Sequence, residues 1–239
     1  MSTFKKLAVA TALSTTAAMP AFAYEKGDFI VRSGYSTIVP NEKSEALNLD
    51  GIGDVGNLLG TTTSLTTDNS SQPTMTITYM LSDNWGVETL IAPPPEHNIY
   101  AEGLEPLGIS KLGTYKHLPA TLTLQYYIPT GTRFQPYLGL GVNYTYFFGE
   151  ETVDSLASNL YASDTELSID SAFGLAAQVG MDYRINEKWM ISASAMYIDL
   201  ETDAELKITD TALLGGDATL KTSAELNPMV YFLTVGYRF

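Results

Sequence analysis

The sequence predicts an all-β protein, an eight-stranded antiparallel up-and-down transmembrane β-barrel with short periplasmic turns and long extracellular loops. Three observations carry this. Hydrophobic residues alternate with period two over segments of about ten or more residues, longer than the five or six usual in soluble sheets. The opposite, wet face holds many small residues and few lysines, as a narrow lumen requires. Aromatics gather toward strand ends, at Trp85, Trp189, Tyr237 and Phe239, where a membrane interface would hold them. Alternation alone suits a soluble sandwich with one wet face equally well, and the other two features favour lipid.

The chain opens with what reads as a signal peptide over residues 1–23. Lys5 and Lys6 form a basic n-region, Leu7 to Ala18 is small and apolar, and Ala21-Phe22-Ala23 has the small-x-small form of a cleavage site. The mature part is then 24–239, one barrel domain. Removing Lys5 and Lys6 from the 13 basic residues leaves 11 against 27 acidic ones, a formal charge of -16. That balance repels nucleic acid. The chain has no cysteine, which removes thiolate chemistry and cysteine-bound metals. No later apolar run approaches the roughly 20 residues of a membrane helix, so any span is made of strands.

The eight strands are expected near 27–39, 72–82, 85–93, 117–128, 134–148, 170–185, 188–201 and 223–239. Phe173, Leu175, Ala177, Val179, Met181, Tyr183 and Ile185 share one face of the sixth, and Met229, Tyr231, Leu233, Val235, Tyr237 and Phe239 one face of the eighth. Short turns at 82–84, 129–132 and 186–188 alternate with long polar links at 40–71, 94–116, 149–169 and 202–222. An even strand count with both termini on one side permits closure and leaves no edge in lipid. Within the links, Val153, Leu156 and Leu160 recur at helical spacing, and Leu58-Leu59 follows a glycine-rich stretch; short helices over the mouth or a helix docked on the rim both fit.

No enzyme is expected. His97 and His117 lie near the outer end, and with Glu96 or Glu102 they make at best a weak zinc set, short of the three or four ligands the metal asks for. Ser192 and Ser194 point inward but lie too deep for either histidine to activate them. No G-x-S-x-G, H-E-x-x-H or phosphate loop occurs, and neither metal nor cofactor is called for.

The inward-facing residues are more informative. Arg32, Glu88, Gln125, Asn143, Gln178, Asp182, Arg184 and Arg238 form a polar lumen set, several of them in the periplasmic half. Buried charges must be paired or hydrated, so these residues either hold a narrow barrel rigid or line a path. Toward the outer half the inward residues turn apolar, at Leu90, Ile198, Leu200 and Val230. An apolar upper lumen above a polar plug suits a greasy ligand, and a barrel of eight strands admits one small ligand at most. A one-residue slip at the outer ends would swap the faces.

Several segments resemble the OmpW family of outer-membrane barrels, which includes AlkL-type uptake proteins. They are Glu25, Gly27, Phe29, Arg32 and Pro40; Thr78-Tyr79-Met80; Asp83-Asn84-Trp85-Gly86-Val87-Glu88; His117-Leu118-Pro119-Ala120-Thr121; and Phe134 through Thr145, ending in Phe147-Phe148. Gly174 through Tyr183, Trp189, Tyr197-Ile198-Asp199, Asn227-Pro228 and Gly236-Tyr237-Arg238-Phe239 continue the likeness, in unbroken order outside the loops. The resemblance implies a passive channel in which a small hydrophobic solute enters from outside, crosses the lipopolysaccharide layer inside the barrel and leaves sideways into outer-membrane lipid. It also implies recognition of the terminal Phe239 by the barrel-assembly machinery. Pro93-Pro94-Pro95 and Pro119 offer a reason for a wall gap, because proline cannot donate to the ladder; strands three and four should part at their outer ends. The Thr/Ser-rich first loop and Leu213-Leu214-Gly215-Gly216 depart from the family, which keeps open a receptor- or adhesin-like role for the loops, or a narrow ion-conducting pore.

Overall fold

The computed structural model describes residues 24–239; the expected signal peptide at 1–23 lies outside the described residues. Eight long strands follow one another: β1 (Phe29–Val39), β2 (Ser70–Met80), β3 (Trp85–Ile91), β4 (Lys111–Tyr127), β5 (Phe134–Thr152), β6 (Ala172–Arg184), β7 (Trp189–Asp199) and β8 (Met229–Arg238). Each pairs antiparallel with its neighbours in the chain, and β8 pairs with β1 from Ile30↔Arg238 to Val39↔Met229. The sheet is therefore a closed, eight-stranded up-and-down barrel.

Side-chain alternation sorts the two faces. Along β6 burial strictly alternates, with Gly174, Ala176, Gln178, Gly180, Asp182 and Arg184 inside. Outside stand Phe173, Leu175, Val179 and Met181, and around the barrel Leu122, Leu138, Leu140, Ile191, Leu233 and Val235 are likewise exposed. Leu140 is 72% accessible. An apolar band of this extent would drive a protein in water to aggregate, and hydrocarbon is the medium that suits it. At the short-turn end the band stops in an aromatic girdle, with ring centroids at 4.9 Å for Phe29–Tyr79, 5.0 Å for Trp85–Tyr126, 4.9 Å for Phe134–Tyr183 and 4.9 Å for Trp189–Tyr237.

The ends of the strands differ from expectation, mostly on the long-loop side. β4 begins at Lys111 rather than near 117, β5 runs to Thr152, and β8 starts at Met229 rather than near 223. β3 stops at Ile91, two residues short, because Pro93-Pro94-Pro95 removes three consecutive donors. The links are not the irregular polar segments that their composition suggests. Glu96–Glu102 pairs with the upper part of β4 and with Ser64–Thr67. A separate sheet joins Asp164–Ile169, Glu201–Thr211 and Gly216–Glu225 to short pieces of the first loop, including Leu49↔Leu220 and Ser44↔Ala224. Two short helices do form, α1 (Val55–Leu59), capped by the Asp54 carboxylate accepting from Gly56 N at 2.7 Å, and α2 (Asp154–Asn159).

The wall loosens on both sides of the proline segment: β2 pairs with β3 only from Met75↔Ile91 to Met80↔Gly86, and the wider break lies as a seam between β3 and β4. β3 pairs with β4 only from Trp85↔Tyr126 to Thr89↔Leu122, and β4 next pairs, at Lys116, with Glu96. Residues 90–95 and 117–121 thus face each other with no ladder. His117 N donating to Pro95 O at 3.3 Å and the Thr89 hydroxyl donating to Thr121 O at 3.3 Å bridge its two margins. β4 keeps its place there through β5, by pairs such as Leu118↔Tyr146 and Pro119↔Thr145.

Small residues on the inner face make room for large ones opposite. Gly180 lies directly against the Tyr137 ring, and a Cβ on Gly236 would sit 2.7 Å from Met190 Cγ and 3.1 Å from Arg32 Cγ. Gly180→Val is therefore expected to overpack the lower lumen and destabilise the barrel by about 1–3 kcal/mol. Ala177→Val, three residues away on the lipid face, should change stability by less than about 0.5 kcal/mol. Urea unfolding in micelles, followed by the electrophoretic shift between folded and heat-denatured barrel, measures both.

Candidate functional site: a polar floor beneath an apolar cavity

The lower lumen is organised around Arg32, which points inward from β1 and is 2% exposed. Its Nη2 donates to Asp182 Oδ2 at 2.6 Å and to the Tyr127 hydroxyl at 3.0 Å. Its Nη1 donates to Glu88 Oε2 at 3.1 Å and to Thr78 at 2.7 Å, and its Nε reaches Asp182 Oδ1 and Ser192, both at 3.2 Å. The guanidinium also lies 5.6 Å from the Tyr137 ring centroid. Gln125 and Gln178 complete the set: each donates from Nε2 to Glu88 Oε1, at 2.8 and 3.2 Å, and Gln125 also donates to Gln178 Oε1 at 2.8 Å. One positive charge is balanced by two carboxylates whose other lone pairs are hydrogen-bonded, the arrangement that lets charges survive burial. Below it Tyr24 bonds Asp182 through its hydroxyl and packs edge-on against Tyr127, with ring centroids 4.8 Å apart.

Three of the eight expected lumen residues stand outside this network. Asn143 lies higher, donating to Thr121 Oγ1 at 2.8 Å and accepting from Thr145 at 2.8 Å. Arg184 is buried lower down, with its guanidinium carbon 4.1 Å from the Tyr24 ring centroid. Arg238 is drawn to the mouth by Glu25 Oε1 at 3.1 Å and Asp28 Oδ2 at 2.6 Å. The segment carrying those two carboxylates folds across the barrel end, which period-two patterning does not encode.

Above the floor lies a cavity of about 50 Å³ lined by Leu90, Ile198, Leu200 and Val230, with Ile38, Phe147, Met196 and Pro119. Pro93 lies in the unpaired segment but is exposed and outside the cavity lining. The apolar lining is continuous with a core built from the loops, including Leu47, Leu104, Leu156, Leu167 and Leu206.

Sequence reasoning reached His97 and His117 only as a weak zinc set, and the structure gives them other company. Glu96 is paired with Lys116 at 3.3 Å and Glu102 accepts from Ser64 at 3.1 Å, so neither completes such a set. Among the described residues no group of three or more histidine, aspartate and glutamate side chains could hold a metal ion. His97, in a strand rather than an irregular loop, stacks on His117 at 5.2 Å and on Tyr115 at 5.5 Å. Both histidines line the cavity, with Glu42, Thr67, Gln72 and Ser36 as further polar neighbours. Burial raises the carboxyl pKa of Glu42, partly offset by hydrogen bonds from Thr67. Asp68 moves the other way: its partial burial is outweighed by hydrogen bonds from Asn98, which lower its pKa. The signal that could have found this cluster is pairing across the second loop, which sets His97 opposite Tyr115 and so beside His117 only once the strand after the prolines is recognised.

The pattern of the OmpW family matches residues 25–239. Outer membrane protein W of Vibrio cholerae serotype O1 is 38% identical over 234 residues, covering 98% of this chain and 97% of its own. Outer membrane protein AlkL of Ectopseudomonas oleovorans is 29% identical over 222 residues, covering 90% and 84%. The crystal structure of OprG from Pseudomonas aeruginosa superposes with a TM-score of 0.79 at 36% identity, covering 91% of this chain and 98% of that one.

Removing Asp182 should leave buried donors without an acceptor, since its carboxylate takes hydrogen bonds from Arg32, Ser192 and Tyr24. Asp182→Leu is expected to cost about 3–5 kcal/mol. Arg238→Gln, at the partly exposed mouth, should cost no more than about 1 kcal/mol. Equilibrium urea unfolding of both variants in bilayers tests the ordering.

Proposed function

The chain belongs to the OmpW family of outer-membrane β-barrels, and on that premise we propose that it is a passive conduit for small hydrophobic molecules with lateral release into the membrane. The family's barrels are not enzymes, and small-molecule transport across the outer membrane is consistent with family and fold. The short turns accordingly face the periplasm and the long loops the outside.

The observation that carries the finer reading is an apolar cavity above a closed polar floor, beside an interrupted ladder. A solute entering from the loops leaves water for apolar surface, a gain of about 25 cal/mol per Å² buried. It meets Arg32, Glu88 and Asp182 below, where passage would break charge-assisted hydrogen bonds. The seam beside Leu90 and Pro119 leads to hydrocarbon instead, which is where a greasy solute is most stable. The exit needs no energy source, only a lower barrier through the lipopolysaccharide layer.

The cavity's 50 Å³ falls well below the roughly 150 Å³ of an apolar cavity that holds benzene. Passage therefore requires the lining or the seam to widen. The seam is the cheaper place: a proline-rich margin has few donors to leave unsatisfied, whereas opening any intact ladder in lipid exposes paired backbone groups.

Uptake of a radiolabelled medium-chain alkane into cells with and without the protein, at matched outer-membrane expression, tests the conduit. Faster uptake is expected with the protein. Leu90→Asp or Ile198→Asp should reduce it several-fold, since a carboxylate in the cavity must be desolvated by each passing solute. Alkane uptake independent of the protein would reject the conduit. Weight would then move to the loops, whose own sheet and buried core build a defined outer surface.

A further inference from the structure

The cavity lining is largely apolar, with Ser36, Gln72 and Thr145 as scattered polar positions and His97, His117, Glu42 and Thr67 as a polar group. His97 is 1% exposed, and its Nδ1 lies 2.9 Å from the backbone carbonyl of Asp68. A carbonyl can only accept, so Nδ1 carries the proton. In the neutral ring Nε2 is then a bare acceptor. That Nε2 is buried with no partner among the described residues, and the same holds for Nδ1 of His117, stacked beside it. The tautomer is held from behind: Asn98 donates to Asp68 Oδ1 at 2.9 Å and to Oδ2 at 2.6 Å, which positions the Asp68 carbonyl against the ring. A buried acceptor left unsatisfied costs about 1–3 kcal/mol, so His97 favours an occupant that supplies a donor, while the unpartnered Nδ1 of His117 can answer the same group as donor or acceptor.

The groups around the pair narrow the class of occupant. Glu42 and Asp68 place carboxylates beside the pair, Tyr115 and Phe147 supply aromatic walls, and no lysine or arginine lines the cavity. A second, almost wholly apolar cavity of about 40 Å³ shares Glu42, Thr67, Tyr115, Phe147 and Leu226 with the first, so apolar space continues past this polar group toward the loops. An anionic head would meet repulsion there, whereas a hydroxyl would find acceptors. Leu90, Ile198 and Val230, farther along, offer nothing to a polar group and suit a hydrocarbon tail.

We infer that His97 and His117 form a head-group site at the mouth of the wall seam, selecting amphiphiles whose polar end donates a hydrogen bond and carries no negative charge. A medium-chain primary alcohol is the simplest such molecule. The site rests on the conduit reading for its supply of ligand, and deepens it. A pure hydrocarbon passes without using the pair. An alcohol is held there with its tail along the cavity, and its deprotonated acid is disfavoured. His117 precedes Pro119 and His97 follows Pro95, so the two rings stand on the two margins of the seam. An occupant bridging them would be positioned at the exit.

Uptake of 1-decanol and of decane at subsaturating concentration, in cells expressing wild-type protein or His97→Phe, separates the possibilities. Phenylalanine keeps the ring stack and removes the acceptor. The expected result is a fall of about tenfold for 1-decanol, the scale of one good buried hydrogen bond, with decane unchanged. An equal fall for both compounds, or none for 1-decanol, overturns the head-group site while leaving the conduit standing. Decane uptake indifferent to the protein overturns the conduit instead. A second measurement needs no variant: in wild-type protein carrying ¹⁵N-histidine in nanodiscs, 1-decanol should shift the His97 Nε2 resonance, and decane and decanoate should not. An Nε2 resonance that 1-decanol leaves in place, or that decane moves equally, overturns the site.

Discussion

The barrel depends on one buried cation. Arg32 rises from β1 and meets Thr78 of β2, Glu88 of β3, Tyr127 of β4, the Tyr137 ring of β5, Asp182 of β6 and Ser192 of β7. Its aliphatic stem passes Gly236 of β8, where a Cβ would come within 3.1 Å of it. All eight strands therefore converge on one side chain. A guanidinium suits this position because its planar fork presents five donors in fixed directions, where an ammonium would offer a single mobile point charge. Glu88 and Asp182 accept from it, and the amides and hydroxyls beside them complete the hydrogen bonds of both carboxylates.

The floor and the seam belong to one design. Closing the lumen with charge-assisted hydrogen bonds makes the straight path expensive, and a lumen closed below can serve transport only if it opens elsewhere. Hydrocarbon tolerates no unpaired backbone donor cheaply, so an opening in the wall must be made of residues with little to leave unpaired. Pro93, Pro94, Pro95 and Pro119 meet that condition by having no backbone N–H. The intact β4–β5 ladder behind the seam then holds β4 in place while its other edge is free.

Outside the membrane the chain builds a second structure on the same strands. β4 and β5 run past the apolar band and carry the segment Glu96–Glu102, and the first and last loops are stitched together through Leu49↔Leu220 and Ser44↔Ala224. Their inner faces pack leucines and isoleucines into one cluster with the upper lumen. The cavity lining is thus continuous with the loop core, and its polar group is assembled from the first loop, the second loop and β4.

What the sequence determined by itself was the barrel: the strand number, the lipid face, the short-turn end and the inward residues of β6, β7 and β8 all follow from alternation and turn chemistry, which are local along the chain. The apolar upper positions Leu90, Ile198, Leu200 and Val230 were legible for the same reason, as was the proline signal for a seam between β3 and β4. Tertiary structure decided everything that depends on the height of one strand against another. Strand tilt and stagger place Arg32 level with Asp182 and Glu88 but leave Asn143 above them and Arg184 below. The fold of 24–28 across the barrel end takes Arg238 out of the lumen. His97 and His117, 20 residues apart, become stacked partners only because the ladder resumes beyond the prolines. Period-two patterning states which face a residue occupies, whereas a site requires that residues from separate strands arrive at the same level, and only closure of the barrel sets that.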